Sequence, residues 1–478
     1  MKKNNRRPLA VVMGLMLLTG VAMVIAGHTE SSDARLTSAT GSPAGGPESA
    51  ITVNAHLVQD KVLRGSDGIV TLAVALTASE PNYSDTSRRH AVDLVVVLDR
   101  SGSMNGRKIT DARRAVQQLM GDLSPRDRLA LVAYDNTAEP LSGLLPMTAR
   151  NRHQLAAVIS GIQPGGGTNL GGGLEAGLEI LAATAPEDHH RKLIIISDGL
   201  ANQGVTDPHA LGRMAARGLA KDWVVSTVGV GNDFNEHLMT TLADHGAGNY
   251  YYLENPAAFA SVFEREYRHA AAAAASGVAI SVPVQDGVHL IDAGGYPIKV
   301  RDGRAIFNPG NLRFGQTRTH YLSFKVPTET SHKVTIEGLQ VQFNSDAGPM
   351  VTTLPDIFTV ACVESPEDVV ASIRKDVWTE KVLQEDFGRL KEAVAEAIRS
   401  GDEQGAMQRI QSYRQEKAAV NQVLASPRVA ENLHEDVDAL GVYVKETFAG
   451  KPEAVVLKQK KNAKALQYEA YQKRRDKQ

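Results

Sequence analysis

The chain has 478 residues, 42% of them apolar and 22% charged, enough for roughly three domains at about 150 residues each. That balance excludes collagenous and disordered proteins, and the single cysteine, Cys362, excludes an intrachain disulfide. A net charge of -2 gives no global basic field for nucleic acid, although residues 451–478 carry nine Lys/Arg against three Asp/Glu.

The N-terminus reads as an export signal. Lys2, Lys3, Arg6 and Arg7 precede an uncharged run at 9–26, which as a helix would reach roughly 27 Å, longer than an ordinary signal-peptide core and just enough to cross a bilayer. Residues 1–26 are therefore a signal peptide or an N-terminal membrane anchor, and the positive-inside rule puts the rest of the chain outside the cytoplasm, secreted, periplasmic or anchored in the envelope. Residues 27–49, rich in Gly, Ser, Thr and Pro, read as a flexible linker.

Alternation at 51–79 around Gly65-Ser66-Asp67-Gly68 predicts two antiparallel strands within a segment 51–85. From 91 the pattern changes to continuous apolar runs at 92–98, 129–133, 193–196 and 224–230, too apolar on both faces for a half-exposed sheet. Helical segments at about 107–120, 151–161, 171–183, 208–221 and 256–270 alternate with them, which predicts a doubly wound, mostly parallel α/β sheet over 91–270. Strand patterns and Gly turns return over 277–362. Because the hairpin at 51–79 has no partner sheet of its own, the economical reading inserts the α/β domain into one all-β sandwich built from both flanks. From 365 to 478 the chain reads as a helical bundle, with Leu383, Phe387, Leu390, Val394 and Ile398 on one face and breaks at Ser400-Gly401, Ser426-Pro427 and Gly450-Lys451-Pro452. Its basic tail, Lys458, Lys460, Lys461, Lys464, Lys473, Arg474, Arg475 and Lys477, reads by default as a solvated helix end with an anionic membrane surface as its candidate contact, and Tyr468 and Tyr471 suit a membrane or a partner helix. Export argues against nucleic acid. Cys362, Trp223 and Trp378 read as core residues.

Three loops carry the chemistry. The first apolar run ends in Asp99, Arg100, Ser101, Gly102 and Ser103, at the carboxyl edge of the sheet where ligands of open α/β sheets bind. Gly165-Gly166-Gly167-Thr168 supplies a hydroxyl in a segment free of side-chain obstruction, and the third run leads into Asp198. Two carboxylates and three hydroxyls, with no imidazole or thiolate, suit Mg²⁺, Mn²⁺ or Ca²⁺ and disfavour zinc. A position left on such an ion suits a Glu or Asp from a protein partner.

With D-x-S-x-S at Asp99, Ser101 and Ser103, followed by Thr168 and Asp198, residues 91–270 resemble the von Willebrand factor type A (VWA) domain and its metal-ion-dependent adhesion site (MIDAS). The resemblance implies that Ser101, Ser103 and Thr168 touch the metal while Asp99 and Asp198 act largely through water. It also implies that the last helix, here 256–270, shifts when the metal gains an acidic ligand. A domain so inserted and exported is similar to bacterial cell-envelope A-domain proteins.

Plainer readings compete. Asp99, Ser101 and Ser103 would also serve as caps of the following helix. Gly165 to Gly167 lack the G-K-[ST] ending of a phosphate-binding loop, and the nucleophile elbow G-x-S-x-G is absent around Ser101 and Ser103. An aspartyl phosphotransferase would carry a second Asp where Ser101 stands. His189, His190, His237 and His245 form no H-E-x-x-H and read as surface residues. The expected function is thus non-enzymatic: metal-dependent binding of a partner's acidic side chain, in adhesion or scaffolding. A structural scaffold with a non-binding metal site and a metal-dependent hydrolase are the alternatives. The hydrolase lacks a general base in the three loops.

Overall fold

The computed structural model describes residues 50–80, 90–184 and 189–475. The expected signal or anchor and linker, the end of the first sandwich segment and Lys477 lie outside these residues. No helix among the described residues is long and apolar enough to cross a membrane.

Strand β1 (Ile51–Leu57) buries every second residue, and it pairs antiparallel with β3 (Ile69–Ala78) from Ile51 opposite Ala78 to Leu57 opposite Leu72. The expected simple hairpin is interrupted. Between the two strands, β2 (Lys61–Leu63) leaves for another sheet, and the Gly65 to Gly68 turn follows β2, with positive φ at both glycines.

The α/β domain supplies β4 (Ala91–Asp99), β5 (Arg128–Tyr134), β6 (Ala138–Pro140), β7 (Leu145–Pro146), β8 (His189–Ser197), β9 (Val224–Val230) and β10 (Ala247–Leu253). The sheet order is β10-β9-β8-β4-β5-β6, with β7 also beside β5; β10, β9, β8, β4 and β5 run parallel, and β6 and β7 antiparallel. Among the described residues, the helices α1 (Arg107–Asp122), α2 (Ala149–Gly161), α3 (Leu170–Ala183), α4 (Pro208–Ala215) and α5 (Glu236–His245) lie between these strands, and α6 (Phe259–Ala271) follows β10. All nine residues of β4 are buried. Val92, Leu94, Val96 and Leu98 pack against Ile109, Val116, Leu155 and Phe263 of α1, α2 and α6, whereas Val95 and Val97 pack against Leu174, Leu211 and Leu238 of α3, α4 and α5. Helices on both faces explain the unbroken apolar runs. The helix expected over 208–221 is α-helical only to Ala215, and residues 216–221 tighten into a 3₁₀ turn. Strand β10 was not among the expected runs, because it is built on Tyr250, Tyr251 and Tyr252 instead of aliphatic residues.

Helix α6 passes through Ala272 into β11 (Ala273–Pro283). The chain continues through β12 (His289–Ala293), β13 (Lys299–Arg301), β14 (Arg304–Phe307), β15 (Leu312–Arg313), β16 (Thr317–Lys325), β17 (Lys333–Ile336), β18 (Gln340–Ser345), β19 (Gly348–Thr353) and β20 (Phe358–Val363). Strand β16 pairs with β3 from Thr317 opposite Thr77 to Lys325 opposite Ile69, and β2 pairs with β20. Strands from before and after the α/β domain therefore share sheets, and Ile51, Leu72 and Leu76 share one core with Ile280, Phe307, Phe324 and Val341. The α/β domain is inserted in this all-β unit. Cys362, Trp223 and Trp378 are buried.

The remainder is helical: α7 (Pro366–Ala371), α8 (Lys375–Lys381), α9 (Phe387–Arg399), α10 (Glu403–Leu424), α11 (Pro427–His434), α12 (Asp436–Phe448) and α13 (Pro452–Arg475). One expected core residue is displaced. A π-turn at Val382–Asp386 adds a residue to the turn, so Val382, five positions before Phe387, is fully buried and Leu383 is not.

The basic tail is also not a solvated helix end. Lys464, Arg474 and Arg475 on α13 are 6%, 9% and 4% exposed. Lys464 donates to the Phe234 carbonyl at 2.7 Å and pairs with Glu236, Arg475 pairs with Asp244 at 2.6 Å, and Lys461 pairs with Glu254 at 2.8 Å. Tyr468 and Tyr471 meet Tyr250 edge-on at 5.7 and 5.5 Å between ring centres. Among the described residues, the cations expected to face a membrane mostly engage acidic groups and carbonyls of the same chain, and α13 covers the edge strand β10.

Candidate metal centre

Parallel strands end on the same side of the sheet, so the loops after β4 and β8 emerge side by side. Asp99 closes β4 fully buried: its Oδ1 accepts from the Ser101 backbone N–H at 2.8 Å and its Oδ2 from the Ser197 hydroxyl at 2.9 Å. The Ser101 and Ser103 hydroxyls lie 3.0 Å apart, and Ser103 donates to Asp198 Oδ1 at 2.6 Å. A chain of oxygens thus links the first loop to the third.

The glycine-rich loop is tied to both. Gly165 N–H donates to the Arg100 carbonyl at 2.7 Å and Gly102 N–H to the Gly166 carbonyl at 3.1 Å. Thr168 N–H donates to Asn202 Oδ1 at 2.9 Å, and Thr168 Oγ1 and Ser103 Oγ both lie 3.5 Å from where a Cβ on Gly199 would stand. A Cβ on Gly167 would meet Asn136 Oδ1 and Asn202 Oδ1 at 2.9 Å, so any larger residue there would push these side-chain amides aside. All five residues singled out in the sequence are brought to one rim. Ser103 is exposed, and Asp99, Ser101, Thr168 and Asp198 are buried beneath it.

The electrostatics favour a cation. Burial raises the Asp99 carboxyl to about 6, with hydrogen bonds from Ser101 and Ser197 offsetting part of the shift and the neighbouring Asp198 charge adding to it. Two close carboxylates, three hydroxyls and an exposed opening match a hard divalent ion held by oxygen. Lys108 supplies a stand-in, since its ammonium pairs with Asp198 Oδ2. Among the described residues no three His, Cys, Asp or Glu side chains converge, so any ion here depends on the hydroxyls.

Three contributors escaped the sequence reading. Ser197 resembles any strand residue, and Asn202 looks like an ordinary loop residue. Lys108 did leave a signal: it sits in the first turn of α1, where the helix dipole disfavours a cation and no acidic residue offsets it, so it needs a carboxylate from elsewhere.

Residues 93–265 match the family of the von Willebrand factor type A domain. The α/β domain of this chain is a VWA domain. Similar proteins include human inter-alpha-trypsin inhibitor heavy chain H4, 30% identical over 161 residues, or 32% of this chain and 17% of that protein. An uncharacterized protein of Synechocystis sp. is 30% identical over 188 residues, 38% of this chain and 43% of its own length. The chain thus spans less than half the length of these relatives. Among solved structures, a von Willebrand factor type A protein from Catenulispora acidiphila aligns over 91% of this chain and 98% of its own with a TM-score of 0.65 and 16% identity. The ArnB paralog VWA2 from Sulfolobus acidocaldarius aligns over 88% and 99% with a TM-score of 0.52 and 16% identity. These two likenesses concern the fold.

Proposed function

We propose that this chain is a non-enzymatic, exported envelope protein whose VWA domain binds an acidic side chain of a protein partner in a metal-dependent way, for adhesion or scaffolding. The observation that carries this reading is the oxygen chain Ser101, Ser103 and Asp198 at the sheet rim, with Thr168 beside it and Asp99 buried below. Ser101, Ser103 and Thr168 would hold Mg²⁺, or Mn²⁺ or Ca²⁺, directly, and Asp99 and Asp198 largely through water. When bound, the ion supplies Lewis acidity toward an incoming carboxylate. Hydrogen bonds from Ser197 and the Ser101 amide orient Asp99 and offset part of the cost of burying its charge, Asn202 fixes Thr168, and the exposed Ser103 marks the side from which a partner approaches. The family match and the absence of imidazole and thiolate from the three loops support binding over hydrolysis. The charged N-terminal flank and apolar run at 9–26 support export.

Titration calorimetry with Mn²⁺ and Mg²⁺, paired with capture from an envelope extract, tests the proposal. Wild type should take up one ion, Ser101→Ala should weaken uptake about tenfold or more, and capture should fail with EDTA or in Ser101→Ala. Capture that survives both would replace the reading with a structural scaffold, and metal-dependent turnover of a model ester would replace it with a hydrolase.

A further inference from the structure

Among the described residues of the VWA domain, two large apolar side chains stand open to solvent: Leu200 at 58% and Val205 at 42% exposure. Single apolar side chains scattered over a surface need no explanation. Here both fall in one loop, and it is the loop that leaves β8 through Asp198.

That loop has a fixed shape. At its start Asp198 accepts from the Ser103 hydroxyl, and the chain passes so near the oxygen donors that a Cβ on Gly199 would stand 3.5 Å from both Ser103 Oγ and Thr168 Oγ1. In the middle, the Asn202 and Gln203 N–H groups donate to the Thr168 carbonyl at 3.1 and 3.4 Å. Gly204 turns at φ +63° against Asn169, and a Cβ on Gly171 would meet Val205 Cβ at 3.1 Å, so Val205 rests on the first turn of α3. At its end Asp207 caps α4, accepting from the Ala210 N–H at 2.7 Å. With both ends and the middle held, Leu200 and Val205 are presented at little ordering cost to a binding partner.

The loop is also neutral. Residues 199–206, between Asp198 and Asp207, carry no charge, so no side chain in it would pair with a charged group next to the one that reaches the metal. We propose that Leu200 and Val205 form an apolar shelf beside the metal centre, and that the protein partner carries an apolar side chain two positions from the acidic residue that completes the ion. The shelf rests on the metal-dependent reading of the site. Spacing sets the two positions. Leu200 stands two residues beyond Asp198, at most about 7 Å along the chain, and in an extended segment side chains two residues apart share one face at about 7 Å. A carboxylate over the ion and an apolar group over Leu200 therefore fit one strand-like stretch of the partner.

The test uses the full chain with Mn²⁺ and three amidated dansyl peptides, LGEGL, SGEGS and LGQGL, read by fluorescence polarisation. LGEGL should bind wild type about five- to tenfold more tightly than SGEGS, the effect of covering a half-exposed leucine. Leu200→Ser should cut that preference to about twofold or less, Val205→Ser should reduce it by a smaller factor, and Leu200→Met should keep it. All three variants should take up Mn²⁺ like wild type in calorimetry. Equal binding of LGEGL and SGEGS to wild type, or a preference that survives Leu200→Ser, would overturn the shelf; Mn²⁺-dependent binding of LGEGL over LGQGL in the same experiment would leave the metal site standing. If no peptide binds with Mn²⁺, or LGQGL binds as well as LGEGL, the metal-dependent reading fails and the shelf with it.

Discussion

The two rims of the VWA sheet are built from the same strands and have opposite chemistry. At the carboxyl ends of β4 and β8, Asp99 and Asp198 are supported by hydroxyls and backbone N–H groups, and Ser103 opens to solvent. At the amino ends, Asp93 and Glu266 are surrounded by Arg128, Arg191 and Lys192, and the rim is closed by the sandwich. One rim opens to solvent above carboxylates with Lys108 as their cation, and the other pairs its carboxylates with cations inside the fold. Carboxylates at an open rim can take up a metal ion from solution, whereas the ion pairs at the other rim are fixed when the chain folds. The comparison separates a binding edge from a structural one.

The largest expected effect is at the structural rim. Glu266 is fully buried, with Lys192 at 2.8 Å and hydrogen bonds from Tyr251 and Asn249, both at 2.7 Å. Glu266→Ala leaves the Lys192 ammonium buried and unpaired, and should lower stability by about 3–5 kcal/mol in urea unfolding. The same residue predicts a pH dependence. Burial alone would raise its pKa, but Lys192 and the hydrogen bonds outweigh it and hold the carboxyl at about 2 against an ordinary 4.5. A lowered folded-state pKa stabilises the fold above 4.5, and that contribution disappears as pH falls through about 2. Wild type should therefore lose more stability than Glu266→Ala between those limits, and parallel curves would show that the ion pair contributes nothing net.

The binding rim was legible because its residues announce themselves locally. D-x-S-x-S follows an apolar run, Thr168 ends a glycine run and Asp198 ends another strand, so topology alone brings them together. The structural rim was not legible, because Arg313 and Arg318 belong to the β-unit and come to line one cleft with Lys192 only after the insertion folds. The same limit hid β2, whose partner β20 lies near the other end of the β-unit, and α13, whose cations find Glu236 and Asp244 only in three dimensions. The π-turn was hidden for a local reason: Val382 and Leu383 are equally apolar, and only the register tells which one is buried.

A smaller effect is expected from Gly167→Ala. Its new methyl group would overlap Asn136 Oδ1 and Asn202 Oδ1, both within 2.9 Å, and Asn202 is the residue that holds Thr168. Relieving such overpacking costs about 1–3 kcal/mol. Since the strain falls on the loop that carries the Thr168 hydroxyl, Mn²⁺ affinity should drop about tenfold by calorimetry while the core of the domain keeps its urea midpoint within the loss seen for Glu266→Ala. Unchanged affinity would mean that Thr168 is not among the donors.

The smallest effect tests the stand-in cation. Lys108 pairs with Asp198, its side chain 29% exposed while the carboxylate is fully buried. An ion entering the rim must compete with that ammonium, so Lys108→Met should raise Mn²⁺ affinity, and the modest strength of a partly exposed pair limits the gain to about two- to fivefold. Two causes point the same way: a competitor is removed, and a positive charge that repels the incoming ion is lost. The opposite outcome has a distinct meaning. If Lys108→Met weakens Mn²⁺ binding, the ammonium serves to hold Asp198 in place for the metal, and the pairing at the binding rim is as structural as those at the other.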